Sequence, residues 1–122
     1  GPFYDGLVET LKPRTVLEVG VHKGASLRAW RHVGYPVEAI GIDRQRVEGV
    51  PMVVATAPDF TPALSELEGR KFDLIIDDGS HKLADQLAAV DQLRQLLELS
   101  TPVQVSQPVN SGTAFEPAAE EP

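Results

Sequence analysis

The sequence predicts an α/β domain, a doubly wound and mainly parallel sheet of four to five strands with helices on both faces. Three observations carry that expectation. Short, continuously apolar runs recur at Thr15–Val19, Val37–Ile42 and Phe72–Ile76, the pattern of strands buried on both faces. Stretches with apolar residues at helical spacing alternate with them, as βα units require. Each run also carries or ends in acids (Glu18, Asp43, Asp77 and Asp78), and the first turns through Gly20 and Gly24. In parallel strands these polar groups collect along the carboxyl edge of the sheet, where open α/β sheets bind small molecules.

In chain order, Phe3, Leu7, Val8 and Leu11 predict a first helix closed by Pro13. Thr15–Val19 is the first strand. The segment Glu18-Val19-Gly20-Val21-His22-Lys23-Gly24 is a strand-to-helix turn whose N–H groups are placed to approach a ligand. Leu27, Trp30 and Val33 mark the buried stripe of the next helix, ended by Gly34 and Pro36. Val37–Ile42 is the second strand and Met52–Thr56 a shorter third. Pro62 opens a helix with Leu64 and Leu67 inward and Gly69 as its stop. Phe72–Ile76 is the fourth strand, and Leu83, Leu87, Val90, Leu93 and Leu97 form the stripe of the longest helix. The right-handed crossover rule then puts the first strand near the sheet centre. Val103, Val105 and Val109 suit at most an edge strand, so residues 1–109 are read as the domain and 110–122 as an acidic, disordered tail.

Composition narrows the function classes. At 122 residues with a net charge of −7 and no basic run, the chain is not expected to bind nucleic acid. It has no cysteine, which removes thiolate chemistry and agrees with a reducing cytoplasm. No apolar run approaches the roughly 20 residues that cross a bilayer, so a soluble, cytoplasmic protein is expected.

Glu18-x-Gly20-x-x-x-Gly24, the acid Asp43 placed 23 residues after Gly20, and Asp73-Leu74-Ile75-Ile76-Asp77-Asp78-Gly79-Ser80-His81 together resemble a class I S-adenosylmethionine-dependent methyltransferase. The closest branch is that of macrolide O-methyltransferases and cephalosporin hydroxylase-like relatives. The resemblance covers about residues 14–99 and implies a three-layer, Rossmann-like sheet. It implies that Glu18, Gly20, Gly24, Asp43 and Asp77 bind the cofactor. Asp78 would help hold a divalent metal such as Mg2+, and His81 would take the proton of an acceptor hydroxyl on a small molecule.

Each element also suits such a cofactor physically. Glycines admit close backbone approach, and Asp43 can accept from vicinal ribose hydroxyls. The overall acidity suits a cationic sulfonium. A nicotinamide dinucleotide fits less well, because the third glycine of its fingerprint is absent.

The resembling enzymes differ in two respects. They place further carboxylates after a fifth strand, where this chain reads Val103-Gln104-Val105-Ser106-Gln107, and they continue through two further strands. The usual last strands are therefore expected to be lacking, leaving a sheet edge for a second copy or a partner protein to cover. The alternative function is a catalytically inactive, methyltransferase-like interaction module.

Overall fold

The computed structural model of the chain describes residue 9, residues 11–98 and the backbone of residues 113–115. Five strands form one sheet: β1 (Thr15–Val19), β2 (Glu38–Asp43), β3 (Met52–Val54), β4 (Leu74–Asp77) and β5 (Thr113–Phe115). Their order is β3-β2-β1-β4-β5, with β1 to β4 parallel and β5 antiparallel to β4. Three α-helices connect them: α1 (Ala25–Ala29), α2 (Thr61–Glu66) and α3 (Leu83–Leu93). Short 3-10 turns at Trp30–His32 and Arg94–Leu96 follow α1 and α3.

Alternation along each strand feeds two layers. Leu17, Val19, Ile42 and Ile75 pack with Phe60, Ala63, Leu67, Ala89 and Leu93, which places α2 and α3 on one face. Val16, Leu74 and Ile76 pack with Trp30 on the other face. Both faces of β1 are thus covered, which is why its sequence is apolar without interruption. A fully buried Leu or Ile here contributes about 1.5–3 kcal/mol. Gly41 in β2 completes the α1 side, since the side chains of Val21 and Leu27 occupy the space a Cβ would need.

The predicted sheet is present with β1 at its centre, although α1 is short and gives way to a 3-10 turn at Trp30. The inward stripe of α3 differs from the expected one. Ala89, Leu93, Leu96 and Leu97 are buried, whereas Leu83 and Leu87 are 68% and 59% exposed. At about 100° per residue, Leu87 lies some 160° around the axis from Ala89, so both leucines cannot share the buried side with it.

Of the predicted first helix, Glu9 and Leu11 are helical, and Leu11 packs against the Trp30 layer; Phe3, Leu7 and Val8 lie outside the described residues. The possible edge strand at residues 103–109 also lies outside them. The expectation of a tail without structure is corrected at Thr113–Phe115, where Thr113 pairs with Asp77 and Phe115 with Ile75. This strand takes the edge of β4 that a second copy was expected to cover. No helix among the described residues is long and apolar enough to cross a membrane.

Candidate cofactor cleft

A cleft of about 860 Å³ opens along the carboxyl edge of the sheet. Strand order sets its sequence of walls. Ala55, Thr56 and Ala57 follow β3; Asp43 and Arg44 follow β2; Gly20, His22 and Lys23 follow β1; and Gly79 to Lys82 follow β4. Phe60 and Val47 add apolar surface near the β3 end.

The turn after β1 owes its shape to three residues in the left-handed region, Gly20 (φ 93°), His22 (φ 55°) and Gly24 (φ 88°). At Gly20 a Cβ would lie 2.5 Å from the Asp78 carbonyl oxygen, closer than real Cβ contacts occur. Only glycine lets the β1 turn and the β4 loop touch.

Asp43 holds this turn from the side. Its Oδ2 accepts from the backbone N–H of Val21 (2.9 Å) and of His22 (3.1 Å), and its Oδ1 from the N–H of Gln45 (3.3 Å). Partial burial pushes its pKa up, but the backbone bonds from His22, Val21, Gln45 and Arg44 outweigh that and leave it below the usual carboxylate range. Asp43 is therefore ionised at neutral pH. Four of the turn's N–H groups are taken within the protein: Gly20 donates to Ile42 and Gly24 to Val21, while Val21 and His22 donate to Asp43. The acceptor with room left is Asp43 Oδ1.

Four expected cofactor or metal residues, Glu18, Gly24, Asp77 and Asp78, do not line the cleft. Glu18 is 2% exposed on the Val16 face of β1, where its Oε1 accepts from the Trp30 indole N–H at 2.8 Å. Burial raises its pKa to about 7, against the lowering effect of the Trp30 bond and with a further upward push from Asp78. Asp77 is 4% exposed, and its Oδ1 accepts from the Gly79 N–H at 3.1 Å. Burial raises its pKa to about 6 despite that bond, aided by Asp78 and Asp85. Asp78 presents its carbonyl to His22 and its N–H to the Val19 carbonyl. Alternation accounts for Glu18, whose side chain turns with that of Val16 to the Trp30 layer, and burial beneath the loop after β4 accounts for Asp77. Gly24 is buried, and a Cβ there would meet the side chains of Arg28 and Val50 at 3.1 Å.

Among the expected residues Gly20, Asp43 and His81 do line the cleft. His81 is exposed and makes no hydrogen bond or ion pair among the described residues. Ser80 and Asp85 organise the start of α3: the Ser80 hydroxyl donates to Asp85 at 2.6 Å and accepts from the Lys82 N–H at 3.1 Å. No three His, Cys, Asp or Glu side chains among the described residues come together as a metal site.

Sequence reasoning missed His22 and the cleft's charge. The His22 Nε2 lies 2.8 Å from the Asp78 carbonyl, joining the two loops that Gly20 allows to meet. Around the cleft stand Lys23, Arg44, Arg46 and Lys82, against the acids Asp43 and Asp85. The chain is acidic overall, but the cleft is not. No sequence run signals this, because the cations come from three separate loops.

The arrangement of sheet, turn and cleft has solved counterparts. A structure of CmcI described as its Mg-SAM form matches at a TM-score of 0.56, with 26% identity over 81% of this chain. The fold is that of a Rossmann-like methyltransferase. An apo structure of CmcI matches at a TM-score of 0.50 and 21% identity, over 97% of this chain and 70% of that one, and supports the fold alone. The chain spans 47% of the length of the first CmcI chain. No protein-family model and no curated protein matches the sequence.

Proposed function

We propose that this Rossmann-like methyltransferase domain binds S-adenosylmethionine along the cleft and serves methyl transfer to an oxygen of a small molecule. The observation that carries the reading is the position of Asp43. An ionised carboxylate with one oxygen committed to the glycine turn and the other held only by a longer, 3.3 Å bond from the Gln45 N–H stands between an apolar end and the Gly20 turn. Strand order then matches the cofactor part by part. The adenine suits Ala55, Ala57 and Phe60, the ribose hydroxyls suit Asp43 Oδ1, and the methionine part suits the cleft floor between the Gly20 turn and Gly79. The acceptor end falls beyond β4, at His81.

The cofactor supplies a methyl group whose bond to sulfur breaks, with its electron pair going to sulfur, as the bond to the acceptor oxygen forms. The chain's residues hold the reactants in line and remove the hydroxyl proton, for which His81 Nδ1 or Nε2 is the base. Glu18 acts here through Trp30 and the packing beneath the turn, and Asp77 through the Gly79 N–H, without touching the ligand. Among the described residues no three His, Cys, Asp or Glu side chains gather to hold magnesium.

A second reading has one observation in its favour. The base candidate His81 has no residue orienting it among those described. Binding without turnover by this chain alone, as an interaction module, is the form that reading takes.

A pair of variants separates binding from chemistry. Asp43→Ala is expected to weaken S-adenosylmethionine binding by more than about tenfold, whereas His81→Ala leaves binding intact and abolishes S-adenosylhomocysteine release with an accepted hydroxyl compound. Unchanged affinity in Asp43→Ala removes the cofactor assignment. Full turnover in His81→Ala removes the base.

A further inference from the structure

We infer that the acceptor taken by this cleft carries an anionic group, held at the β4 end by Lys82 beside His81. The inference rests on the S-adenosylmethionine reading above and deepens it. Four cations, Lys23, Arg44, Arg46 and Lys82, line the cleft, and none of their side chains makes an ion pair or hydrogen bond among the described residues. An ion pair joins Arg70 to Glu38, away from the cleft. Of the two acids in the lining, Asp43 is taken up by backbone N–H groups and Asp85 receives the Ser80 hydroxyl.

Surplus positive charge in a chain of net charge −7 runs against the background field. It focuses attraction for an anion at one place. The cofactor cannot satisfy it, because its sulfonium and ammonium outweigh its carboxylate and leave it cationic. A cationic cofactor beside four unpaired cations is a repulsive arrangement unless another ligand brings negative charge. Arg44 and Arg46 follow Asp43 at the ribose position, and Lys23 lies in the turn. Lys82 follows His81 directly, so an anion paired with Lys82 brings an acceptor's hydroxyl within the reach of that histidine.

The experiment uses the full chain saturated with S-adenosylhomocysteine and two probes of nearly equal shape, 4-hydroxybenzoate and the neutral 4-hydroxybenzamide. Affinity is read from the imidazole proton resonances of His22 and His81, with exposed His32, outside the cleft, as internal control. The anionic probe is expected to bind about tenfold or more tightly than the amide, to weaken as salt rises, and to lose most of that preference in Lys82→Gln while Lys82→Arg keeps it. Equal affinity of the two probes, no response to either, or a preference untouched by Lys82→Gln overturns the inference. So does displacement of S-adenosylhomocysteine by 4-hydroxybenzoate, which would assign the cations to the cofactor's carboxylate. A separate titration with S-adenosylhomocysteine alone keeps the two readings apart: its failure removes the cofactor assignment, while the probe preference of the ligand-free chain still reports on the cationic cleft.

Discussion

The imidazole of His22 meets the carbonyl of Asp78 at 2.8 Å, and that contact ties the turn after β1 to the loop after β4. His22 holds a left-handed backbone, φ 55°, to make it. Left-handed strain in a non-glycine residue costs on the order of 1 kcal/mol, similar to what one hydrogen bond returns. His22→Gly is therefore expected to change stability by less than about 1 kcal/mol. It should nonetheless speed amide hydrogen exchange at Gly79 and Ser80 and weaken cofactor binding. Unaltered exchange in those residues would show that the contact does not hold the loop.

Glu18 makes stability depend on pH in a direction opposite to most carboxylates. Its pKa is raised by burial to about 7, from an ordinary value of 4.5. Below 4.5 the group is protonated in both states and costs nothing. Between 4.5 and 7 the unfolded chain releases its proton first, so stability falls as pH rises, and above 7 the loss is complete. The expected loss is about 3 kcal/mol, and Asp77, raised to about 6, adds in the same sense. Glu18→Gln keeps an acceptor for the Trp30 indole and is expected to be more stable than the native chain at pH 8, with a shallower slope in urea unfolding from pH 4 to 8. A native-like slope in the variant would remove Glu18 as its source.

Gly20→Ala is expected to be destabilised by about 2 kcal/mol or more. The added Cβ meets backbone atoms of Asp78 and Gly79, which have no rotamer to yield, and φ 93° is unfavourable for alanine. Gly34→Ala, with open space around its Cβ, isolates the φ cost alone and should lose only about 1 kcal/mol. Equal losses in the two variants would show that the close approach of the loops contributes nothing.

Asp43→Asn separates the two duties of that side chain. An amide oxygen can still accept from the N–H groups of Val21 and His22, so the turn is expected to keep its shape. The amide nitrogen at the other position faces the Gln45 N–H and cannot accept a ribose hydroxyl. Near-native thermal stability with a loss of affinity of about tenfold or more is the expected result. The native carboxylate's contribution to stability is present above its unfolded pKa. It disappears as pH falls through the lowered folded value.

Much of this was legible before any coordinates. Continuous apolar runs gave β1, β2 and β4, Gly34 and Pro62 bounded helical segments, and the spacing of Gly20, Gly24 and Asp43 gave the edge that carries the cleft. Periodicity failed on α3 because two overlapping stripes fit its leucines, and only packing against Phe60 and Leu67 selects Ala89 and Leu93. The burial of Glu18 and Asp77 away from the cleft lining was not legible, because nearness in sequence to the edge does not say which face a side chain takes. β5 was hidden in a polar, glycine-bearing stretch whose pairing depends on the edge of β4. The cationic lining could not be seen at all, since it exists only once three loops are brought together.

The most direct measurement is calorimetric titration of the full chain with S-adenosylhomocysteine. Saturable binding at one site, lost in Asp43→Asn and retained in His81→Ala, is the expected result. No heat and no protection of the Gly20 turn from hydrogen exchange at saturating ligand would contradict a cofactor cleft.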